Sequence, residues 1–148
     1  MNKRGRALTI AGSVGLAVVV LLLGSCSGQK DESKTAESSV VRKINGMDHL
    51  NKVVESAGDR LIMLDLYADW CMPCKILSPR LEQIAAEHRD KVDVYKVDVD
   101  RHGDIARAFG VRGIPYVVLV RNKQAVKAFT GVQPKEAYVR AINAHARQ

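Results

Sequence analysis

Residues 64–75 read LDLYADWCMPCK, an apolar run that leads into two cysteines with two residues between them. The run begins at Leu61, and Asp65 is its only charged residue before Ala68, which is typical of a strand buried on both faces. After the cysteines, apolar residues recur at the spacing of a helix with one buried face: Leu77, Leu81, Ile84 and Ala85. The stretch therefore predicts a buried strand followed at once by a helix that opens with the cysteine pair.

The cysteine pair at a helix start indicates redox chemistry. Two intervening residues bring the sulfurs of Cys71 and Cys74 close enough to bridge. Free backbone N–H groups and the helix dipole stabilise a thiolate at this position, so the pKa of Cys71 should lie below the value of about 8.5 of a free cysteine. Because the thiolate is the attacking species, Cys71 is the expected nucleophile and Cys74 the shielded resolving thiol.

Half of a zinc site is the competing interpretation of this pair. Structural zinc takes four nitrogen or sulfur ligands, and the sequence contains no second Cys-x-x-Cys. The four histidines do not have the H-x₃₋₅-H spacing of zinc fingers: His49, His88, His102 and His145. We therefore expect neither a metal site nor another cofactor.

The chain from residue 40 onwards alternates strand and helix patterns. Helices are predicted at about 46–57 and 104–109 and near the end of the chain, with strands at 61–68, 92–99, 116–120 and 125–129. The last two strands are predicted to form a hairpin with Asn122 in its turn. This order predicts one α/β domain over residues 40–148, with a central mixed sheet and helices on both faces.

The N-terminal segment, residues 1–25, has the pattern of a signal peptide. A short basic region precedes the uncharged residues 7–24, as in the n-region and h-region of secretory signals. As a helix, the uncharged part would rise about 27 Å, which is barely enough to span a bilayer. A cleaved signal and an uncleaved anchor are therefore both open.

Leu23-Gly24-Ser25-Cys26 resembles the lipobox of bacterial lipoproteins. The resemblance implies that Cys26 becomes a lipid-bearing N-terminus and that burial of the lipid chains holds the protein at a membrane. The domain would then be in the cell envelope, facing the periplasm or the outside. Residues 27–39 are too polar to form a core, so residues 26–39 are predicted to be the lipidated cysteine and a flexible tether.

The net charge of +7 does not by itself indicate nucleic-acid binding. Three of the 23 basic residues lie in the segment 1–25, which contains no acid. The remaining 20 basic and 16 acidic residues give +4 and are interspersed. A mildly basic, solvated surface is the better interpretation, and we expect a monomer without a nucleic-acid partner.

Two motifs resemble those of the thioredoxin family. Residues 64–75 are similar to its active-site segment, and residues 113–115, Gly-Ile-Pro, are similar to its second signature, a loop with a cis-proline that faces the cysteines. The resemblance covers about residues 40–147 and implies a thioredoxin-like fold. It also implies a reversible disulfide: Cys71 attacks a substrate disulfide, and Cys74 then displaces the product.

The resemblance implies further roles around the cysteine pair. Asp65 matches a buried acid below the second cysteine, where desolvation raises the pKa of a carboxylate and lets it accept the proton of Cys74. Lys96 matches a lysine that neighbours this acid. Pro115 is expected to be cis, which leaves the backbone of Ile114 free to pair with an extended substrate.

Other residues are expected to contact the substrate or to tune the pair. Trp70 is expected to cover the site, with simple packing as its alternative role. Met72 and Pro73 lie between the cysteines, where side chains set the redox potential. Gly131 matches a glycine beside the substrate groove, with an ordinary turn glycine as the alternative.

Departures from the family pattern concern the direction of electron flow. Met72 replaces the usual Gly, Tyr67 replaces the usual Trp, and the string LDLYADWC is also similar to the C-terminal domain of DsbD-type membrane reductases. Together with Ile114 they favour an extracytoplasmic protein-disulfide reductase. Its partners would be a membrane thiol electron donor and protein disulfides, including those of apocytochrome c. A disulfide oxidase or isomerase and a non-catalytic binding module are the alternatives.

Overall fold

The computed structural model describes residues 40–146. The predicted signal peptide, the tether and the lipidation site Cys26 lie outside the described residues. The elements follow in the order β1 (Val41–Lys43), α1 (Met47–Ala57), β2 (Leu61–Tyr67), α2 (Met72–Glu87), β3 (Val92–Asp98), α3 (Gly103–Ala108), β4 (Tyr116–Arg121), β5 (Gln124–Thr130) and α4 (Lys135–His145). The helices and strands predicted from periodicity are therefore present, with bounds that differ by one or two residues.

The five strands form one mixed sheet in the order β1-β3-β2-β4-β5. Strands β1, β3 and β2 are parallel, whereas β4 and β5 run antiparallel to their neighbours. Strand β2 lies at the centre, and its residues from Leu61 to Leu66 are all buried. This explains why the apolar run of the sequence is nearly continuous, and the predicted mixed sheet is confirmed.

Helices cover both faces of the sheet, and the alternation along β2 separates the two cores. Ile62, Leu64 and Leu66 pack with residues of α1 and α3. Leu61 and Met63 pack on the other face with residues of α2 and α4. Within residues 40–146 no helix is both long and apolar enough to cross a membrane.

The β4–β5 hairpin turns at Asn122 and Lys123, which have φ angles of 51° and 64°. Positive φ at both central residues is the type I′ arrangement, whose twist matches that of paired strands. The predicted hairpin and the position of Asn122 in its turn are confirmed. The hairpin places the loop that precedes β4 beside the C-terminal end of β2, where the cysteines lie.

Candidate active site

Cys71 and Cys74 form a disulfide with an S–S distance of 2.02 Å and a Cα–Cα distance of 5.3 Å. The chain leaves β2 at Tyr67, and α2 begins at Met72, so the pair lies at the junction of the central strand and this helix. Both cysteines are only 3 % exposed. In the oxidised form the two cysteines therefore have the same exposure. They differ in their positions relative to helix α2.

Cys71 is the N-cap residue of α2. Its sulfur accepts a hydrogen bond from the backbone N–H of Cys74 at 3.2 Å, as a capping side chain does. Pro73 lies in the first turn, where its missing N–H costs nothing, and the first turn contains no acid that would repel an anion. The Cys71 sulfur therefore lies where free amide groups and the helix dipole stabilise a thiolate.

Asp65 is the one buried charged residue among the described residues, with 1 % of its surface exposed. Neither of its carboxylate oxygens has a hydrogen-bond partner. Burial raises the pKa of Asp65 to about 6, against a smaller lowering by the charge of Lys96. An acid in this state can gain and lose a proton near neutral pH.

Lys96 lies opposite Asp65 in the parallel register of β2 and β3. Its ammonium group, however, contacts other partners. Nζ donates a hydrogen bond to Ser78 Oγ at 2.6 Å and lies 4.5 Å from the centre of the Tyr67 ring. With Cys74, these residues line a cavity of about 130 Å³. The sequence reasoning missed Ser78, whose only signal was its position one helical turn after Cys74.

The peptide bond between Ile114 and Pro115 is cis, as the family resemblance implied. Ile114 packs against a small buried cluster that contains both cysteines. The carbonyl of Pro115 accepts a hydrogen bond of 2.8 Å from the N–H of Gly131. Gly131 has a φ of 74°, a backbone conformation that favours glycine because it has no side chain. It also lies beside the cis-proline loop. Its two interpretations, turn glycine and groove glycine, are therefore compatible.

Three large apolar side chains around the disulfide are exposed to solvent. Trp70, Met72 and Ile76 are 68 %, 63 % and 60 % exposed. Trp70 is thus not a packing residue, and its Nε1 donates a hydrogen bond of 2.9 Å to Asp100 Oδ2. Ile76 was not predicted as a site residue from the sequence, although its position falls outside the buried face of α2, which contains Leu77. We call Trp70, Met72 and Ile76 the apolar rim.

Residues 40–146 contain no group of three His, Cys, Asp or Glu side chains arranged to hold a metal ion. The reactive groups that the structure brings together are the sulfurs of Cys71 and Cys74, which form the disulfide. A disulfide at the N-terminus of a helix exchanges electrons with the thiols and disulfides of another molecule. These features define a thiol–disulfide oxidoreductase.

The chain belongs to the thioredoxin family. Its residues 40–144 match the family model described as Thioredoxin. It is 40 % identical over 107 residues to thioredoxin of Haemophilus influenzae, which covers 72 % of this chain and 98 % of that protein. It is also 37 % identical over 92 residues to Thioredoxin-T of Drosophila melanogaster. That match covers 62 % of this chain and 59 % of that protein.

Solved structures agree with this assignment. The thioredoxin NaTrxh from Nicotiana alata superposes with a TM-score of 0.69 at 30 % identity, over 74 % of this chain and 95 % of that one. Thioredoxin of Malassezia sympodialis superposes with a TM-score of 0.65 at 36 % identity, over 71 % of this chain and 92 % of that one. The protein is therefore a thioredoxin-type protein-disulfide oxidoreductase.

Proposed function

We propose that this protein is an extracytoplasmic reductase of protein disulfides that works through a mixed disulfide. The observation that carries the proposal is the Cys71–Cys74 disulfide at the start of α2, on the sheet face that also buries the unpartnered carboxylate of Asp65. In the reduced protein, the Cys71 thiolate attacks one sulfur of a substrate disulfide. A bond forms between Cys71 and the substrate, and the other substrate sulfur leaves as a thiolate.

The second step needs a proton acceptor for Cys74. The buried carboxylate of Asp65, with its pKa near 6, takes this proton as the Cys74 sulfur attacks Cys71. The Cys71–Cys74 disulfide forms, the bond to the substrate breaks, and the second substrate thiolate is released. Two electrons have then passed from the cysteine pair to the substrate, and a thiol donor must reduce the pair again.

The surroundings of the pair suit an extended segment of a protein substrate. The apolar rim offers exposed surface next to Cys71, which a substrate can cover. On the other side, the loop of Ile114 and the cis-Pro115 lies next to Gly131. A peptide that lies between the rim and this loop would bring its disulfide to Cys71, with Met72 and Pro73 beside it.

The N-terminal pattern supports the proposed place of action. The signal-like segment 1–25 and the lipobox ending at Cys26 favour export and attachment to a bacterial membrane by lipid. A membrane thiol donor would supply electrons there, and apocytochrome c would be one client. Cys26→Ser should release the protein from the membrane fraction and abolish labelling with radioactive palmitate. Retention and labelling of this variant would contradict the anchor.

The mechanism can be tested by trapping the intermediate in cells. In Cys74→Ala the first attack should proceed and the second should not, so that clients stay bound through Cys71. Non-reducing gels should then show disulfide-linked adducts that disappear when the sample is reduced with dithiothreitol. The matched control is Cys71→Ala/Cys74→Ala, which should form none. If Cys74→Ala forms no adduct above this control, the substrate is not a protein disulfide.

The direction of electron flow can be tested by the equilibrium of the pair with glutathione. A reductase should hold its disulfide against a large excess of reduced glutathione, whereas a strongly oxidising pair would be reduced readily. The second result would identify a disulfide oxidase or isomerase. If neither the unaltered chain nor Cys74→Ser reduced insulin faster than the reaction without protein, the equal result would instead favour a non-catalytic binding module.

A further inference from the structure

The ammonium group of Lys96 is held between helix α2 and strand β2. Its Nζ donates a 2.6 Å hydrogen bond to Ser78 Oγ and lies 4.5 Å from the centre of the Tyr67 ring. The Ser78 hydroxyl donates a long hydrogen bond of 3.5 Å to Glu82, one helical turn further, so its oxygen lone pairs are available to accept from the lysine. The Lys96 ammonium thus interacts with a hydroxyl group through a hydrogen bond and with an aromatic ring through a cation–π contact.

This arrangement is unexpected, because a buried carboxylate lies on the neighbouring strand. Asp65 and Lys96 are paired in register, and both side chains lie on the sheet face covered by α2 and α4. Buried charges are normally paired with an opposite charge. Both oxygens of Asp65 nevertheless lack a hydrogen-bond partner, while the ammonium that would suit them is bound to Ser78.

We propose that Ser78 is a positioning residue of the exchange reaction: its hydroxyl holds the Lys96 ammonium off the Asp65 carboxylate, which leaves this carboxylate free to take the proton of Cys74. The inference rests on the role proposed above for Asp65. Ser78 is suited to it because residues four apart share one face of a helix, and Ser78 and Cys74 line the same cavity.

The other groups near this carboxylate do not provide a substitute for Lys96. Those that line the Cys74 cavity or face Asp65 from α4 are Tyr67, Asp69, Cys74, Lys75 and Tyr138. Burial raises the pKa values of Tyr67 and Tyr138, so both stay neutral at physiological pH. The charge of Lys96 is the one that lowers the pKa of Asp65. Asp69 and Asp98, which line a second cavity with Lys96, are the competing acceptors for its ammonium.

The test is a carbon-13 NMR titration of the Asp65 carboxyl group in the oxidised, full-length chain. In Ser78→Ala the freed ammonium should pair with Asp65, and the pKa of Asp65 should fall by about one unit or more, the usual effect of an opposite charge at ion-pair distance. Ser78→Thr keeps the hydroxyl and should restore the original value. Ser56→Ala, on the exposed part of α1, should leave the pKa unchanged.

A double variant isolates the contact. In a Lys96→Met background the cation is absent, so adding Ser78→Ala should not move the pKa of Asp65 further. A second required result is that Ser78→Ala resolves the mixed disulfide several-fold more slowly than the unaltered chain at pH 7, with unchanged alkylation of Cys71. An Asp65 pKa that stays constant or rises in Ser78→Ala, an equal fall without Lys96, or an unchanged resolving rate would each overturn the proposal.

The titration of the oxidised chain reports only where the ammonium lies. It does not depend on whether Asp65 accepts a proton from Cys74. That role is tested by the resolving rate of Asp65→Asn alone, which should be slower than that of the unaltered chain. Failure of the role of Asp65 and failure of the role of Ser78 therefore give different results.

Discussion

Trp70 Nε1 donates a hydrogen bond of 2.9 Å to Asp100 Oδ2, which ties the most exposed large apolar side chain of the described residues to the loop after β3. The indole is 68 % exposed and next to Cys71, so this bond, rather than packing, sets its orientation. A fixed aromatic surface costs a bound substrate less ordering than a mobile one does.

Asp100→Ala should therefore weaken substrate binding. A hydrogen bond of this kind contributes about 0.5–1.5 kcal/mol, so the KM for insulin reduction should rise by about two- to tenfold with little change in kcat. Trp70 is the only tryptophan of the chain, and its fluorescence anisotropy should fall as the ring gains freedom. Asp104→Ala, an exposed acid on α3, is the matched control. A constant KM together with unchanged anisotropy would show that the bond does not order the ring.

The apolar rim should matter for protein substrates and not for small ones. Full burial of an apolar side chain contributes about 1.5–3 kcal/mol, so partial covering of Met72 or Ile76 by a substrate should still be measurable. Met72→Ser and Ile76→Ser should each raise the KM for insulin by roughly threefold or more. Reduction of a small aromatic disulfide is the control and should stay at its original rate in Ile76→Ser, where a loss would indicate damage to the pair itself. In Met72→Ser the rate with the small disulfide measures the separate effect of residue 72 on the redox potential, and the loss with insulin should exceed it.

The buried carboxylate should lower the stability of the fold at neutral pH. Asp65 has a pKa of about 6 in the folded protein, above the ordinary value of 3.8, so the folded state binds its proton more tightly than the unfolded state does. Stability therefore falls as the pH rises from about 4 to about 6 and stays lower above this range. A shift of this size corresponds to roughly 3 kcal/mol.

Asp65→Asn should accordingly be more stable than the unaltered chain at pH 7, by up to about 3 kcal/mol in urea unfolding. The gain should shrink as the pH falls and should vanish near pH 4. The same variant should resolve the mixed disulfide slowly at pH 7. Equal stability of the two proteins at pH 7 would mean that the carboxylate is hydrated in solution.

The two roles considered for Gly131, a turn glycine with positive φ and a glycine beside the substrate groove, can be tested with one variant. A Cβ at Gly131 would meet no atom within 4 Å, but its φ of 74° is unfavourable for other residues. Gly131→Ala should therefore cost about 1–2 kcal/mol in urea unfolding through the backbone alone. Gly103→Ala, at a helix start without positive φ, is the control and should be nearly neutral. If Gly131 also borders the substrate, the KM for insulin rises in Gly131→Ala at temperatures where both proteins are folded.

The fold was predictable because local patterns and the global structure agree. The apolar run of β2 indicates a strand covered on both faces, and the spacing of Leu77 and Leu81 indicates a helix with one buried face. Asn122 marks a turn whose backbone few residues adopt. Each signal lies within a short window of sequence, so no knowledge of distant contacts was needed.

Contacts between distant segments were not predictable from these patterns. The bond between Lys96 and Ser78 joins residues 18 apart, and the bond between Trp70 and Asp100 joins residues 30 apart. Both depend on the register of β3 against β2 and on the rotation of α2, which periodicity does not specify. The resemblance implied that Lys96 neighbours Asp65, and the two residues are paired in register. It carried no information about which group the Lys96 ammonium contacts.

The direction of the first strand sets where its two ends lie relative to the sulfurs. Because β1 is parallel to β3 and β2, Val41 is level with Met63, four residues before the end of β2 that leads to Cys71. Its last residue, Lys43, is level with Asp65, so β1 runs towards the disulfide and its first residue is the one farther from the reacting sulfurs.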